Sequence, residues 1–144
     1  MDSRRRRSCS ITMASNKYVH IYTDGGPEKW AFVVVKDDSV IHEESGTFGI
    51  SASTNNDDTE SEGIFRAMQY AQEHPANYIL TTDSQAIIAK VNGNVANVTK
   101  NPNIRGIQNL LTEFRESHLP VSFSIKWEKR LSNTYMKRVD ALCK

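Results

Sequence analysis

Two apolar segments of this chain each run straight into an aspartate. The first reads Tyr-Val-His-Ile-Tyr-Thr and ends on Asp24, with Gly25 and Gly26 next; the second reads Tyr-Ile-Leu-Thr-Thr and ends on Asp83, with Ser84 next. Both have the β-branched and aromatic content of buried strands, so each carboxylate falls at the end of a strand. Two further acids occupy helical patterns: Glu60 opens one, and Asp140 lies on the last, within Lys-Arg-Val-Asp-Ala-Leu. Carboxylates at two strand ends and on two helices can converge at one edge of a sheet. Gathered there they repel one another and need cations to be tolerable. Hard divalent ions with oxygen ligands are the natural partners, and Mg2+ is the usual one beside phosphates. The pattern therefore points to metal-dependent phosphodiester chemistry.

The rest of the chain supplies a frame. A strand over 17–24 is followed by a nearly all-apolar strand from Trp30 to Lys36, an Asp37-Asp38-Ser39 turn, and a strand from Val40 to Phe48. Such short connections imply an antiparallel meander. A polar loop over 49–56 leads to a helix from Glu60 to Glu73, capped by Thr59 or a neighbouring aspartate and stopped at His74-Pro75. Its apolar positions Ile64, Phe65, Ala67, Met68 and Ala71 have helical spacing. Then follow a strand from Tyr78 to Thr82, a helix starting at Ser84 and ending at Asn92-Gly93, and an amphipathic helix from Pro102 to Ser117. An alternating strand from Val121 to Trp127 and a closing helix from Leu131 to Leu142 complete the pattern.

Length and charge narrow the class. A chain of 144 residues suits one domain with a sizeable core: residues 16–144, preceded by a Ser- and Arg-rich tail over 1–15 that reads as disordered. No run approaches the roughly 18 apolar residues of a membrane span, so no membrane partner is expected. The net charge of +1 is uneven, because the Arg4–Arg7 run outweighs Asp2 and leaves the remainder mildly acidic. A binder that relies on bulk positive charge would be basic throughout. Cys9 and Cys143 have no metal-ligand spacing and frame no disulfide scaffold, which favours an intracellular, cytoplasmic setting; the arginine run is a weak nuclear-targeting motif. No exposed apolar stripe is evident, so a monomer is expected.

The order of elements and the acids together resemble the type 1 ribonuclease H family. The motifs are Tyr-Thr-Asp-Gly-Gly at 22–26, Thr-Asn-Asn at 54–56 ahead of the helix acid, Thr-Asp-Ser at 82–84 and Val-Asp-Ala-Leu at 139–142. The resemblance spans residues 17–144. It implies an α/β fold with a mixed five-stranded sheet in the order 3-2-1-4-5, strand 2 antiparallel, flanked by helices. It also implies endonucleolytic hydrolysis of the RNA strand of RNA/DNA hybrids with two Mg2+ ions, for which Mn2+ can substitute. By the same resemblance Asp24, Glu60, Asp83 and Asp140 would be catalytic residues and metal ligands. Thr54, Asn55, Asn56, Gly25, Gly26 and Ser84 would meet the hybrid.

Several positions have more than one reading. The helix acid is either Glu60 or Glu62; Glu60 sets the small Gly63 three residues on, where Glu62 would set Phe65. The family often carries a histidine before its last helix. Here the stretch Trp-Glu-Lys-Arg-Leu-Ser-Asn has none, leaving Glu128, Lys129, Arg130, Asn133 or water to substitute. Hybrid affinity would then rest on Lys126, Lys129, Arg130, Lys137 and the arginine tail. Asp57 and Asp58 read as helix-start charges, His20 as a packed residue sharing a sheet face with Asp24, and Trp30 and Trp127 as core. Two other functions share the frame: a catalytically weak module that binds hybrids or double-stranded RNA, and an exonuclease or resolvase of the same superfamily.

Overall fold

The computed structural model describes residues 18–47, 56–93, 102–117 and 122–144. Five strands form one sheet: β1 (Tyr18–Gly25), β2 (Lys29–Lys36), β3 (Ser39–Thr47), β4 (Asn77–Thr82) and β5 (Phe123–Trp127). Four helices accompany them: α1 (Asn56–Glu73), α2 (Gln85–Val91), α3 (Pro102–Glu116) and α4 (Thr134–Leu142). The strand order is β3-β2-β1-β4-β5. The meander pairs antiparallel, whereas β1–β4 and β4–β5 are parallel. The expected mixed sheet is therefore present.

The run Trp30–Val35 is apolar without alternation because β2 is covered on both faces. Trp30, Phe32 and Val34 join the larger core with Ile21, Ile64, Met68 and Leu80. Ala31, Val33 and Val35 face the other way, against Val139 and Cys143. Strand β1 alternates instead, with Val19 and Ile21 buried in the larger core and His20 and Tyr22 half-buried on the α4 side. The two-residue turn between β2 and β3 holds Asp37 and Asp38 at φ 54° and 63°. Gly93, at φ 87°, closes α2, as the Asn92-Gly93 pair foretells.

Helix boundaries shift from the sequence expectation. Helix α1 begins at Asn56, so Glu60 lies one turn inside it rather than opening it, and Thr59 is not its cap. Helix α4 begins at Thr134, capped by the Asn133 side chain, which accepts from the Met136 amide. Leu131, expected inside that helix, takes φ 58° ahead of it. Trp30 is buried as expected, but Trp127 is 44 % exposed. It ends an edge strand, and its indole N–H is satisfied by the Asp83 carbonyl. The tail, the loops around 48–55 and 94–101, and Val121 fall outside the described residues.

The parallel pairing positions the candidate site. Tyr22 lies opposite Thr81 at the last β1–β4 pair, and Asp24 and Asp83 each come two residues later. Their carboxylates therefore emerge at the same sheet edge, at the carboxyl ends of adjacent parallel strands, where open α/β sheets place their ligands.

Phe32, fully buried against Tyr70 and His42, joins the meander to α1. Phe32→Ala is expected to cost about 3–5 kcal/mol, read as a lowered urea midpoint at unchanged m-value.

Candidate active site

Asp24, Glu60 and Asp83 each offer a carboxylate oxygen within 4.8 Å of the others'. Among the described residues this is the one group of three or more acids, histidines or cysteines so close. Glycine makes the approach of α1 possible. A Cβ on Gly25 would lie 2.4 Å from the Glu60 amide nitrogen, and one on Gly63 would lie 3.2 Å from the Asp24 carbonyl oxygen. These two positions let the helix bearing Glu60 lie directly on the strand bearing Asp24. The buried Thr59 hydroxyl adds a 2.5 Å bond to the Gly26 carbonyl.

Glu60 and Glu62 differ in their partners. Glu62 points away, pairing with Arg66 at 2.5 Å and accepting from Asn103. Glu60 meets Ser84 and Asp83. The Ser84 hydroxyl also accepts from the Ile87 amide at 3.2 Å, so it caps α2. Its place in the structure is structural support for the cluster.

Mutual repulsion is visible in the acidities. Burial first, then the charge of Asp83 and a hydrogen bond with Asp140, push Asp24 from 3.8 to about 7, against a lowering bond from the Gly25 amide. Burial, with Asp83 and Asp24, pushes Glu60 from 4.5 to about 8, against a lowering bond from Ser84. Asp140 goes the other way. Partial desolvation would raise it, but bonds with Asp24, Lys144 and Arg130 outweigh that and hold it below its ordinary value.

Asp140 thus stands beside the triad, not inside it. Arg130 reaches one of its oxygens at 3.1 Å and Lys144 the other at 3.2 Å. A recess of about 440 Å³ opens over these groups, lined also by Gly25, Gly26 and Pro27. Cys143 lines it too, but burial, with the charges of Asp24 and Asp140, pushes its thiol up to about 12, which disfavours the reactive thiolate. Sequence reading missed both cations as partners of Asp140. Lys144 was accessible through its i,i+4 spacing; the loop residue Arg130 carried no such signal. Of the other expected substrate contacts, Asn56 is the first residue of α1, and Thr54 and Asn55 lie outside the described residues. Glu128 pairs with Lys126 and accepts from Ser132 and Asn133, which organises the turn ahead of α4.

Three oxygen-bearing acids that resist simultaneous ionisation fit a hard divalent cation better than any neutral ligand. Asp24, Glu60 and Asp83 would hold it, with Asp140 adjacent.

Comparison with solved structures identifies the frame. Ribonuclease H1 from the archaeon Halobacterium salinarum superposes with a TM-score of 0.68 at 23 % identity, over 87 % of this chain and 93 % of that one. This chain has the ribonuclease H fold. LC11 ribonuclease H1 in complex with an RNA/DNA hybrid gives 0.67 at 22 % identity, over 86 % and 92 %. The N-terminal ribonuclease H domain of rv2228c from Mycobacterium tuberculosis gives 0.68 at 22 %, over 88 % and 93 %. No family model and no curated protein matches the sequence.

Two outcomes test this geometry. In the metal-free protein, Asp24 and Glu60 have folded values above their ordinary 3.8 and 4.5, so their contribution to stability is fully present below those ordinary values. It is lost as pH rises through about 7 and about 8. Denaturant unfolding in EDTA should therefore show stability falling across this window, and Asp24→Asn should flatten the slope. Gly25→Ala, which drives a methyl into the α1 backbone, should destabilise by about 1–3 kcal/mol and weaken Mn2+ binding measured by calorimetry.

Proposed function

We propose that this protein is an endoribonuclease that hydrolyses the RNA strand of RNA/DNA hybrids with divalent metal ions, Mg2+ in the first instance and Mn2+ as a substitute. The observation that carries the reading is the mutually close Asp24, Glu60 and Asp83 triad at the carboxyl ends of β1 and β4. The fold supports it, because a protein of the same fold has been captured with an RNA/DNA hybrid.

When bound, a pair of such ions supplies an activated water and neutralises charge on the leaving oxygen. The chain's own groups prepare for this. Asp24, Glu60 and Asp83 would hold the metal through their carboxylate oxygens, with Asp140 beside them. Ser84 bonds to Glu60 and so orients the acid nearest the expected scissile 2′-hydroxyl. Gly25 and Gly26 keep side-chain bulk away from the recess. Arg130, 60 % exposed at its rim and paired with Asp140, is one of two cations in the loop where the family often has histidine, and it would be available to a phosphate.

Selectivity for RNA would come from 2′-hydroxyls in the wide minor groove of an A-like duplex. Backbone contacts would fix the register without reading bases, so little sequence preference is expected. Lys126, Lys129, Arg130 and Lys137 would share the phosphate contacts, and binding should weaken as salt rises. The reading takes the protein as a monomer acting inside the cell.

The test is cleavage of an end-labelled hybrid beside matched double-stranded RNA and DNA, across a titration of Mg2+ and Mn2+. The hybrid alone should be cut, internally and on its RNA strand, and only with metal present. Asp24→Asn should abolish cutting while the circular dichroism spectrum is retained. Normal cleavage by Asp24→Asn would overturn the site assignment, and hybrid binding without cleavage by the wild type would favour a binding module.

A further inference from the structure

A second recess, of about 310 Å³, opens on the α4 face of the sheet, toward the start of β1. Tyr18, His20 and Tyr22 contribute from β1, Val35 from β2, Asp37 and Asp38 from the following turn, and Tyr135 from the first turn of α4. Asp24 stands at the opposite end of β1, about 20 Å from Tyr18 along the strand.

Its chemistry is specific. The Tyr22 ring stacks with Tyr135 at 5.3 Å and with His20 at 6.4 Å, giving a tier of near-parallel aromatic faces. The Tyr135 hydroxyl donates to the Asp38 carbonyl at 3.0 Å, which ties the turn to α4. Both turn residues take left-handed backbone, φ 54° and 63°, where Asn-Gly is the favoured pair. Two aspartates carry a conformational cost there and give the recess an acidic lining. Neither carboxylate has an ion-pair partner among the described residues.

The other charges nearby do not cancel this. Lys126 is paired with Glu128 at 3.1 Å. Burial holds His20 below its ordinary value, with Lys126 adding to the effect while Asp38 and Glu128 oppose it. Its Nδ1 is buried and has no hydrogen-bond partner. Anions are repelled by such a recess, and a purely apolar group would leave the carboxylates unmet. A planar cation bearing several N–H donors suits both the rings and the acids: it stacks on tyrosine faces and forks onto carboxylates.

We propose that this recess binds the guanidinium of an arginine side chain presented by a basic peptide segment of a partner protein. The site is separate from the acid triad and does not depend on the catalytic reading.

The full-length protein, in Mg2+ so that the acid triad is not a competing anion, would be titrated with a blocked Gly-Arg-Gly peptide and followed by NMR. Gly-Lys-Gly and the neutral citrulline peptide serve as comparisons. Signals of His20, Tyr22 and Tyr135 should shift with the arginine peptide and stay in place with citrulline. The variant Asp37→Asn/Asp38→Asn keeps the hairpin, because asparagine tolerates left-handed backbone; it should weaken binding about tenfold and leave hybrid cleavage unchanged. Shifts confined to the Asp24 region, equal binding of citrulline or lysine peptides, or undiminished binding by the double variant would each overturn the proposal.

Discussion

Repulsion among Asp24, Glu60 and Asp83 is the constraint around which the rest of the molecule is arranged. Three carboxylates with oxygens inside 4.8 Å cannot all be ionised in a half-buried site without compensation. In the absence of metal the compensation is protonic, and Asp24 and Glu60 hold their protons to about pH 7 and 8. Holding the three acids together carries an electrostatic cost met by the packing beneath them. Preorganisation of this kind is what a metal centre needs, since ligands already in place lose little conformational freedom on binding.

That packing is unusually direct at one point. The sheet interior is closed by Phe32, Ile21 and Leu80 against Ile64 and Met68 of α1, and this burial presses the helix onto β1. Two glycines convert the pressure into proximity. Without Cβ atoms at Gly25 and Gly63, the Asp24 strand and the Glu60 helix make contact through their backbones. The core sets the force, the glycines set the distance, and the parallel register of β1 with β4 brings Asp83 to the same edge. Each is local, yet the removal of any one would separate the carboxylates.

The sheet was legible in the sequence because its signals are physical and short-range. Alternation in β1, the unbroken apolar run of β2 and the polar turns between them encode burial on one face or two. The acids were legible because strand ends are punctuated: Asp24 by glycines, Asp83 by Ser84. Helix starts were less so. Helix α1 extends one turn upstream of the apolar period, through Asn56 to Thr59, because Thr59 is held by the Gly26 carbonyl, a partner 33 residues away that no local pattern reveals. Trp127 misled for a similar reason: its alternation is that of a core strand, but β5 is an edge and the indole satisfies itself on the Asp83 carbonyl. The partners of Asp140 were half visible. Lys144 follows from helical spacing, whereas Arg130 arrives through a loop turned by the left-handed Leu131.

Asp140 finally separates two kinds of exchange at one site. A cation entering between Asp24 and Glu60 would displace protons, so its uptake there would be governed by pH. Asp140 is already ionised, held by Arg130 and Lys144, whose side chains are 60 % and 65 % exposed. Exposed pairs of this kind are weak and readily screened, so a cation approaching Asp140 would have to displace these side chains, and the ease of doing so would depend on ionic strength. Arg130, once displaced, is a guanidinium at the rim of the recess with no remaining claim on it except an incoming anion. The fourth acid therefore differs from Asp24 and Glu60 in charge as well as in place: two cations hold it ionised, where burial and neighbouring carboxylates keep their protons on.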